Sequence, residues 1–356
     1  MVEANTTTSN MIYRYLGNTG IRVSVLSWGN WVNGKSNEHV ATIKAALEAG
    51  VNFFDTAEIY NFGEAEVSLG HAFKELKVRR ESIVVTTKIF KVGMGVNDTM
   101  LSRKHILEGV SNSLKRLQLD YVDVLFCHRF DDITPLEEVC RAMNQAIQNG
   151  QAFYWATSEW KASQIAEAYA ICDRLGLIRP IADQCQYNMM VRDKVENEYT
   201  HLFDKHSMGT TVWSPLYSGV LTGKYKEKIV EGSRFDAFAA ETGHLKMKYL
   251  NQKDTWDPKI EELAKLAKTL GDYSMAQLAL AWVIRNPNVS TCIMGTSKVE
   301  QFHENIKALE LAKKIDLEVE EKIEKILGNG PDADIDWRTF TPKDTRRVGL
   351  IKNSKL

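Results

Sequence analysis

Asp55, Tyr60, Lys88 and His128 are the side chains of this sequence whose types and placement could do chemistry together. Asp55 closes the run Gly50-Val-Asn-Phe-Phe-Asp55, which leaves a helix at a glycine and continues as a short apolar strand. Lys88 closes a β-rich run over 83–88, and His128 closes the strand read over 121–128. Tyr60 sits on the loop beyond Asp55. A tyrosine hydroxyl, with an unperturbed pKa of about 10, is a poor acid at neutral pH. An adjacent ammonium favours the phenolate and lowers that value. A carboxylate fixes and neutralises the ammonium, and an imidazole beside the phenol can orient a carbonyl oxygen. Together these groups make a general acid for a carbonyl turning into an alkoxide, which is half of a carbonyl reduction. The other half is a hydride donor. Singly, a strand-end Asp or Lys is more often a solvated rim residue; the convergence of four groups favours the functional reading.

Such a set needs a scaffold that brings the ends of distant strands to one place. Two β-prone runs, 13–16 and 21–25, flank Gly17-Asn-Thr-Gly20 and read as a hairpin, with 25–28 extending into a first strand. A helix over 37–49 stops at Gly50. Strands then follow at 51–55, 83–88, 121–128, 153–158, 181–186, 210–214 and 291–294. Between them apolar residues recur at helical spacing over 64–76, from Ser102 through Leu117, from Thr134 to Asn149, over 161–175, from Asp257-Pro258 to Gly271, over 275–286 and over 299–308. Thr134-Pro135-Leu-Glu137 reads as a capping box. A last amphipathic helix, 317–327, lies outside the alternation. Roughly eight strand signals, most followed by a helix, imply parallel strands with crossover helices. The first strand leads to Gly29-Asn-Trp-Val-Asn-Gly34 and not to the glycine fingerprint of an open dinucleotide-binding sheet. The expected fold is α/β, a (β/α)8 TIM barrel with an N-terminal hairpin and an extra C-terminal helix. Its strand ends would meet at one mouth, where barrel active sites lie. Residues 215–256 break the rhythm and read as an irregular lid or binding segment.

Composition sets outer limits. The 356 residues are 44% hydrophobic and 26% charged, with a formal net charge of -1, which leaves no basic field for nucleic acid or a membrane surface. Five scattered cysteines without a paired spacing read as reduced thiols of a cytoplasmic protein. No apolar run is long enough to span a bilayer. The polar stretch 1–10 is expected to be a disordered tail, 11–328 a single barrel domain, and 329–356 a C-terminal extension. The eight histidines are scattered, and no paired ligands follow the first strand, so a metal-dependent hydrolase fits poorly and no metal site is expected.

A donor site is suggested on the same rim. Ser158, Gln184 and the turn Trp213-Ser214-Pro215-Leu216 end later strands. Gly295-Thr-Ser297 precedes a helix and could cradle phosphate, with Lys224 adding charge. Trp213 could stack on a nicotinamide-like ring.

The pattern Gly50-x4-Asp55-x-Ala57-x2-Tyr60 resembles the signature of the aldo-keto reductases, and the likeness runs from about Met11 to Gly328. Within that superfamily the chain is most similar to the voltage-gated potassium channel β-subunit branch. The likeness is carried by Tyr13-Arg-Tyr-Leu-Gly17, Thr86-Thr-Lys-Ile-Phe90, Leu101-Ser-Arg-Lys-His105, Tyr154-Trp155, Thr157-Ser158, Trp213-Ser-Pro-Leu216 and Ser218-Gly219. The resemblance implies a barrel that binds NADP(H) and reduces aldehydes or ketones. It also implies a homotetramer able to dock on the cytoplasmic domain of a potassium channel, at the membrane only through that partner. By resemblance Tyr60 is the proton donor, Lys88 and Asp55 its tuning pair, and His128 the carbonyl-orienting residue. Animal channel subunits have asparagine at that last position; plant members share the histidine. Ser158 and Gln184 resemble the carboxamide-holding groups, with Trp213 as the stacking ring. Trp31, Ser214, Pro215, Leu216, Ser218, Lys224 and Arg234 match ring, pyrophosphate and lid contacts. Gly295, Ser297, Gln301, Glu304 and Asn305 match the adenosine end. Glu159 stands where animal members carry a basic residue. The alternative the resemblance leaves open is a regulatory channel subunit that binds NADP(H) as a redox sensor.

Overall fold

The computed structural model describes residues 2–5, 9–31, 37–296, 298–332, 335–336 and 341–342. Strands β1 (Tyr13–Tyr15) and β2 (Arg22–Ser24) form the expected antiparallel hairpin. There follow β3 (Leu26–Gly29), α1 (Asn37–Glu48), β4 (Phe53–Asp55), α2 (Glu64–Glu75), β5 (Val84–Ile89), α3 (Arg103–Leu117), β6 (Val122–Cys127) and α4 (Leu136–Gln148). Next come β7 (Ala152–Ser158), α5 (Ala162–Leu175), β8 (Ala182–Gln184), α6 (Thr200–His206) and β9 (Gly209–Val212). Then come α7 (Arg234–Ala237), α8 (Ala239–Leu250), α9 (Lys253–Thr269), α10 (Met275–Arg285), β10 (Thr291–Met294), α11 (Val299–Ile306), α12 (Ala308–Lys314) and α13 (Leu317–Leu327), followed by the short antiparallel pair β11 (Ile335–Asp336) and β12 (Thr341–Pro342). Strands β3 to β10 are parallel and close into a barrel in sequence order, with β10 beside β3. The (β/α)8 fold is therefore the one expected.

Closure creates two apolar cores. Inside the barrel, Phe53, Val84, Val124, Phe126, Ala156, Ala182 and Ile293 pack together, and the hairpin plugs the bottom with Leu16 and Val23. The larger core lies between strands and helices. Successive strand residues face opposite sides of the sheet, so β5 turns Val84, Thr86 and Lys88 inward and Val85, Thr87 and Ile89 toward the helices. The same two-residue step carries Phe53 to Asp55, Phe126 to His128, Ala156 to Ser158 and Ala182 to Gln184. Strands β4 to β8 thus each lead from an apolar interior residue to a polar one at the same mouth.

The hairpin fits closely. Gly17 has φ of 61°, and a Cβ there would lie 2.2 Å from the carbonyl oxygen of Ile181, so only glycine allows this seat. Asn52 ties the hairpin to β4, accepting from Ser24 N at 2.7 Å and donating to the Arg22 carbonyl at 3.0 Å. Between α2 and α3, Gly70 lies so close that a Cβ would come within 2.2 Å of the Leu117 carbonyl.

Several expectations are corrected. The segment 215–256 is not irregular: it holds a 3-10 turn at Tyr217–Thr222 and the helices α7 and α8. Its apolar stripe is thin, but Phe235, Leu245 and Tyr249 are buried and hold it. Helix α9 starts at Lys253, not at 257–258, and carries Pro258 inside. The ring costs one backbone hydrogen bond, while buried Trp256 and the ion pair of Lys253 with Asp257 hold the turn before it. Thr134 is not a cap. Pro135 occupies that position without a side-chain bond, and Asp131 instead accepts from the backbone N–H groups of Ile133 and Thr134. The helix expected near 299–308 is α11, and a further helix not expected from the sequence, α12, follows it from Ala308. Within the stretch expected to be a tail, Val2 N donates to Lys77 O, Asn5 N donates to Leu47 O, and Ala4 is buried.

Candidate active site

The mouth of the barrel is built from a buried ion pair. Lys88 Nζ donates to Asp55 Oδ2 at 2.6 Å, to the Thr56 carbonyl at 2.7 Å and to the Tyr60 hydroxyl at 3.1 Å. All three ammonium protons therefore have acceptors, the condition under which a buried charge is tolerated. Asp55 Oδ1 accepts from Thr86 Oγ1 at 2.7 Å and from Gln184 Nε2 at 3.0 Å. Tyr60 opens a 3-10 turn whose next two residues, Asn61 and Phe62, have φ of 47° and 52°. The His128 ring stands edge-on to the Tyr60 ring, centroids 5.6 Å apart. Lys88 is the penultimate residue of β5, and His128 lies just past β6. The inward face carries both to the mouth, as the sequence pattern required.

Electrostatics refine the sequence reading. Burial pushes the Tyr60 phenol up; Lys88 pulls it down and Asp55 pushes it up again, and the net direction is upward. The expected lowering by Lys88 is therefore present but outweighed by desolvation. Burial favours a neutral Lys88, yet Asp55 and Tyr60 together hold its pKa above the ordinary value. Burial, with Lys88 and Arg129 beside it, drives His128 well below its usual range, so the imidazole is neutral.

A cleft of about 990 Å³ opens over this group. Asp55, Tyr60 and His128 form its floor, and Trp31, Ser158, Gln184 and Trp213 its walls. Ser214, Ser218, Arg234 and Gly295 line its far arm. Six of the expected cofactor contacts do not line it. Pro215 is buried beneath the turn, Leu216 packs on the outer core, and Lys224 and Gln301 are exposed. Glu304 is engaged by Lys307 at 2.7 Å and Gln277 at 3.1 Å, and Asn305 is half-buried on α11. Ser297 lies outside the described residues.

Sequence reasoning missed other lining residues. Arg129, next to His128, donates to Ser158 Oγ at 3.2 Å. Phe238, Glu241 and Leu245 reach the cleft from α8 and the residue before it, inside the segment read as irregular. Glu159, noted only by comparison, is a wall residue bonded to the Trp213 indole at 2.9 Å.

A family model described as "Aldo/keto reductase family" matches residues 26–327. The chain belongs to the aldo/keto reductase family. The family is one of oxidoreductases that use a nicotinamide nucleotide. Relatives include an Oryza sativa subsp. japonica protein named "Probable voltage-gated potassium channel subunit beta", 48% identical over 326 residues, 90% of this chain and 98% of the relative. An Arabidopsis thaliana protein of the same name is 48% identical with the same coverage. A Schizosaccharomyces pombe protein with a corresponding subunit name is 46% identical over 331 residues, 90% of this chain and 95% of its own length.

The far arm of this aldo/keto reductase suits a nucleotide. Arg234 donates to the Gly295 carbonyl at 3.2 Å and lies over the Trp31 ring, but no carboxylate pairs with it among the described residues. The Thr296 hydroxyl beside it is buried and has no partner among those residues. A guanidinium on the cleft wall with no carboxylate partner among the described residues fits a phosphate. Among the described residues no group of His, Cys, Asp and Glu could hold a metal, and no helix is long and apolar enough to cross a membrane.

Proposed function

We propose that this chain reduces aldehydes or ketones to alcohols with NADPH, and that Tyr60 delivers the proton. The single observation that carries the reading is Lys88 Nζ bridging Asp55 and the Tyr60 hydroxyl inside a cleft. When bound, the nucleotide supplies the hydride. Ser158 and Gln184 would hold its carboxamide and Trp213 its ring, while Arg234, Ser214 and Ser218 would hold its phosphates. His128, neutral, donates to the substrate oxygen and fixes it beside the phenol. Tyr60 is fully protonated at neutral pH, since burial raises its pKa, so it enters each turnover carrying the proton to be given. The adjacent ammonium of Lys88 stabilises the phenolate left behind, and Asp55 keeps that ammonium charged. The lost proton returns from solvent through the half-buried Tyr60 edge.

The test is fluorescence titration of the purified protein with NADPH and NADH, followed by a panel of aldehydes. Tighter binding of NADPH, and its oxidation when aldehyde is added, is the expected result. Binding without oxidation across the panel would overturn the reductase reading.

A second reading concerns partners. Relatives 46–48% identical over nearly their whole length carry the name of potassium channel subunits. We infer a cytoplasmic homotetramer that docks on the cytoplasmic domain of such a channel. Copurification with a channel and a tetrameric mass in solution would support it. A monomer that no channel retains would remove it and leave the reductase untouched.

A further inference from the structure

Glu159 follows Ser158 at the end of β7 with φ of 60°, a left-handed backbone that few side chains adopt. Its own N–H holds it there, donating to the Gln184 carbonyl at 3.1 Å and to Asp183 Oδ1 at 3.2 Å. That turn swings the carboxylate across the ends of β8 and β9. Glu159 Oε1 accepts from Gln186 N at 2.6 Å and from Trp213 Nε1 at 2.9 Å. Gln186 and Trp213 are themselves paired as a parallel bridge. On the other side, Lys194 Nζ lies 3.5 Å from Glu159 Oε2, and the same ammonium donates to the Trp160 carbonyl at 2.7 Å. One carboxylate therefore gathers three strand ends and the single N–H of a cleft-lining indole.

An indole has two side-chain torsions, and its N–H is its one directional contact. A carboxylate acceptor makes that contact charge-assisted. We propose that Glu159 is a positioning residue that locks the plane of the Trp213 indole, so that the cleft presents a preset platform to the nicotinamide ring. The inference rests on the reading of Trp213 as that platform. A wall already ordered spares the nucleotide the entropy of ordering it. A purely structural Glu159 would stitch β7 to β9 and affect stability without acting through Trp213.

The test compares NADPH dissociation constants of the full chain for wild type, E159A, E159Q, W213F and the E159A/W213F double variant. Near-ultraviolet circular dichroism of the nucleotide-free proteins is recorded in parallel. E159A is expected to weaken NADPH about tenfold, the scale of a lost charge-assisted hydrogen bond, and to remove from the indole bands the share that W213F also removes, the other seven tryptophans keeping theirs. E159Q keeps an acceptor and should recover most of both. In the W213F background E159A should add nothing further. Equal losses in both backgrounds, or no loss in either, would overturn the positioning role. W213F binding NADPH as wild type does would overturn the platform reading itself, an outcome visible without any Glu159 variant. If E159A does not fold, E159M, with similar bulk and no acceptor, takes its place.

Discussion

Gln184 and Asp55, 129 residues apart in the chain, are joined by a 3.0 Å hydrogen bond from the Gln184 amide to Asp55 Oδ1. The opposite oxygen of the same carboxylate holds Lys88 at 2.6 Å. Asp55 thus connects the Lys88 and Tyr60 side of the cleft to the wall that carries Gln184. Gln184→Leu removes that donor but leaves Thr86 Oγ1, so the carboxylate stays partly satisfied. The expected stability loss in urea denaturation is about 1 kcal/mol. Nucleotide affinity should fall as well; a variant that binds NADPH normally would show that Gln184 serves Asp55 alone.

Tyr60→Phe keeps the ring against His128 and removes the acid. Turnover should fall by about 10²–10⁴, the usual worth of a positioned general acid, while NADPH affinity stays close to that of the wild type. Single-turnover kinetics separate the two effects. Wild-type rates in this variant would remove Tyr60 from the mechanism.

Lys88→Met leaves Asp55 buried without its cation. Removing one partner of a buried pair costs about 3–5 kcal/mol, so the variant should be less stable, and Asp55→Asn in the same chain should restore part of the loss. Turnover should stay low in the double variant, because nothing then stabilises the Tyr60 phenolate. A pH–rate profile unchanged by Lys88→Met would argue against the coupling.

His39 gives a pH dependence with a definite sign. It is buried beside Trp28, ring centroids 6.3 Å apart, and burial lowers its pKa from 6.5 to about 4. Between those values the unfolded chain binds a proton that the folded protein refuses. Stability should therefore fall as pH drops through 6.5 toward 4. Asp183, raised by burial to about 6, acts in the opposite sense between 3.8 and 6, because there the folded state holds the extra proton. Urea midpoints of wild type and His39→Leu at pH 7 and pH 5 isolate the histidine. The variant should lose less on acidification; equal losses would mean that His39 does not titrate on unfolding.

The sequence alone determined the barrel and the floor of the site, because both follow from short-range periodicity. A two-residue step along each strand sets which side chains face inward, so Asp55, Lys88, His128, Ser158 and Gln184 could be aligned on one mouth from their places at the strand ends. Tyr60 followed from its place on the loop beyond Asp55. Helix starts depended on competing local bonds: Ser102 caps its helix by accepting from His105 N, but Asp131 took the Thr134 amide that Glu137 would have accepted in a capping box. The walls and the electrostatics needed the tertiary structure. That Glu159 reaches Trp213, or that α8 brings Phe238 and Leu245 over the cleft, depends on a left-handed residue and on helix packing, which no periodicity encodes. The direction of the Tyr60 shift likewise came from enclosure. Charge proximity predicted a fall, and only the closed barrel, by excluding water from the phenol, made desolvation the larger effect.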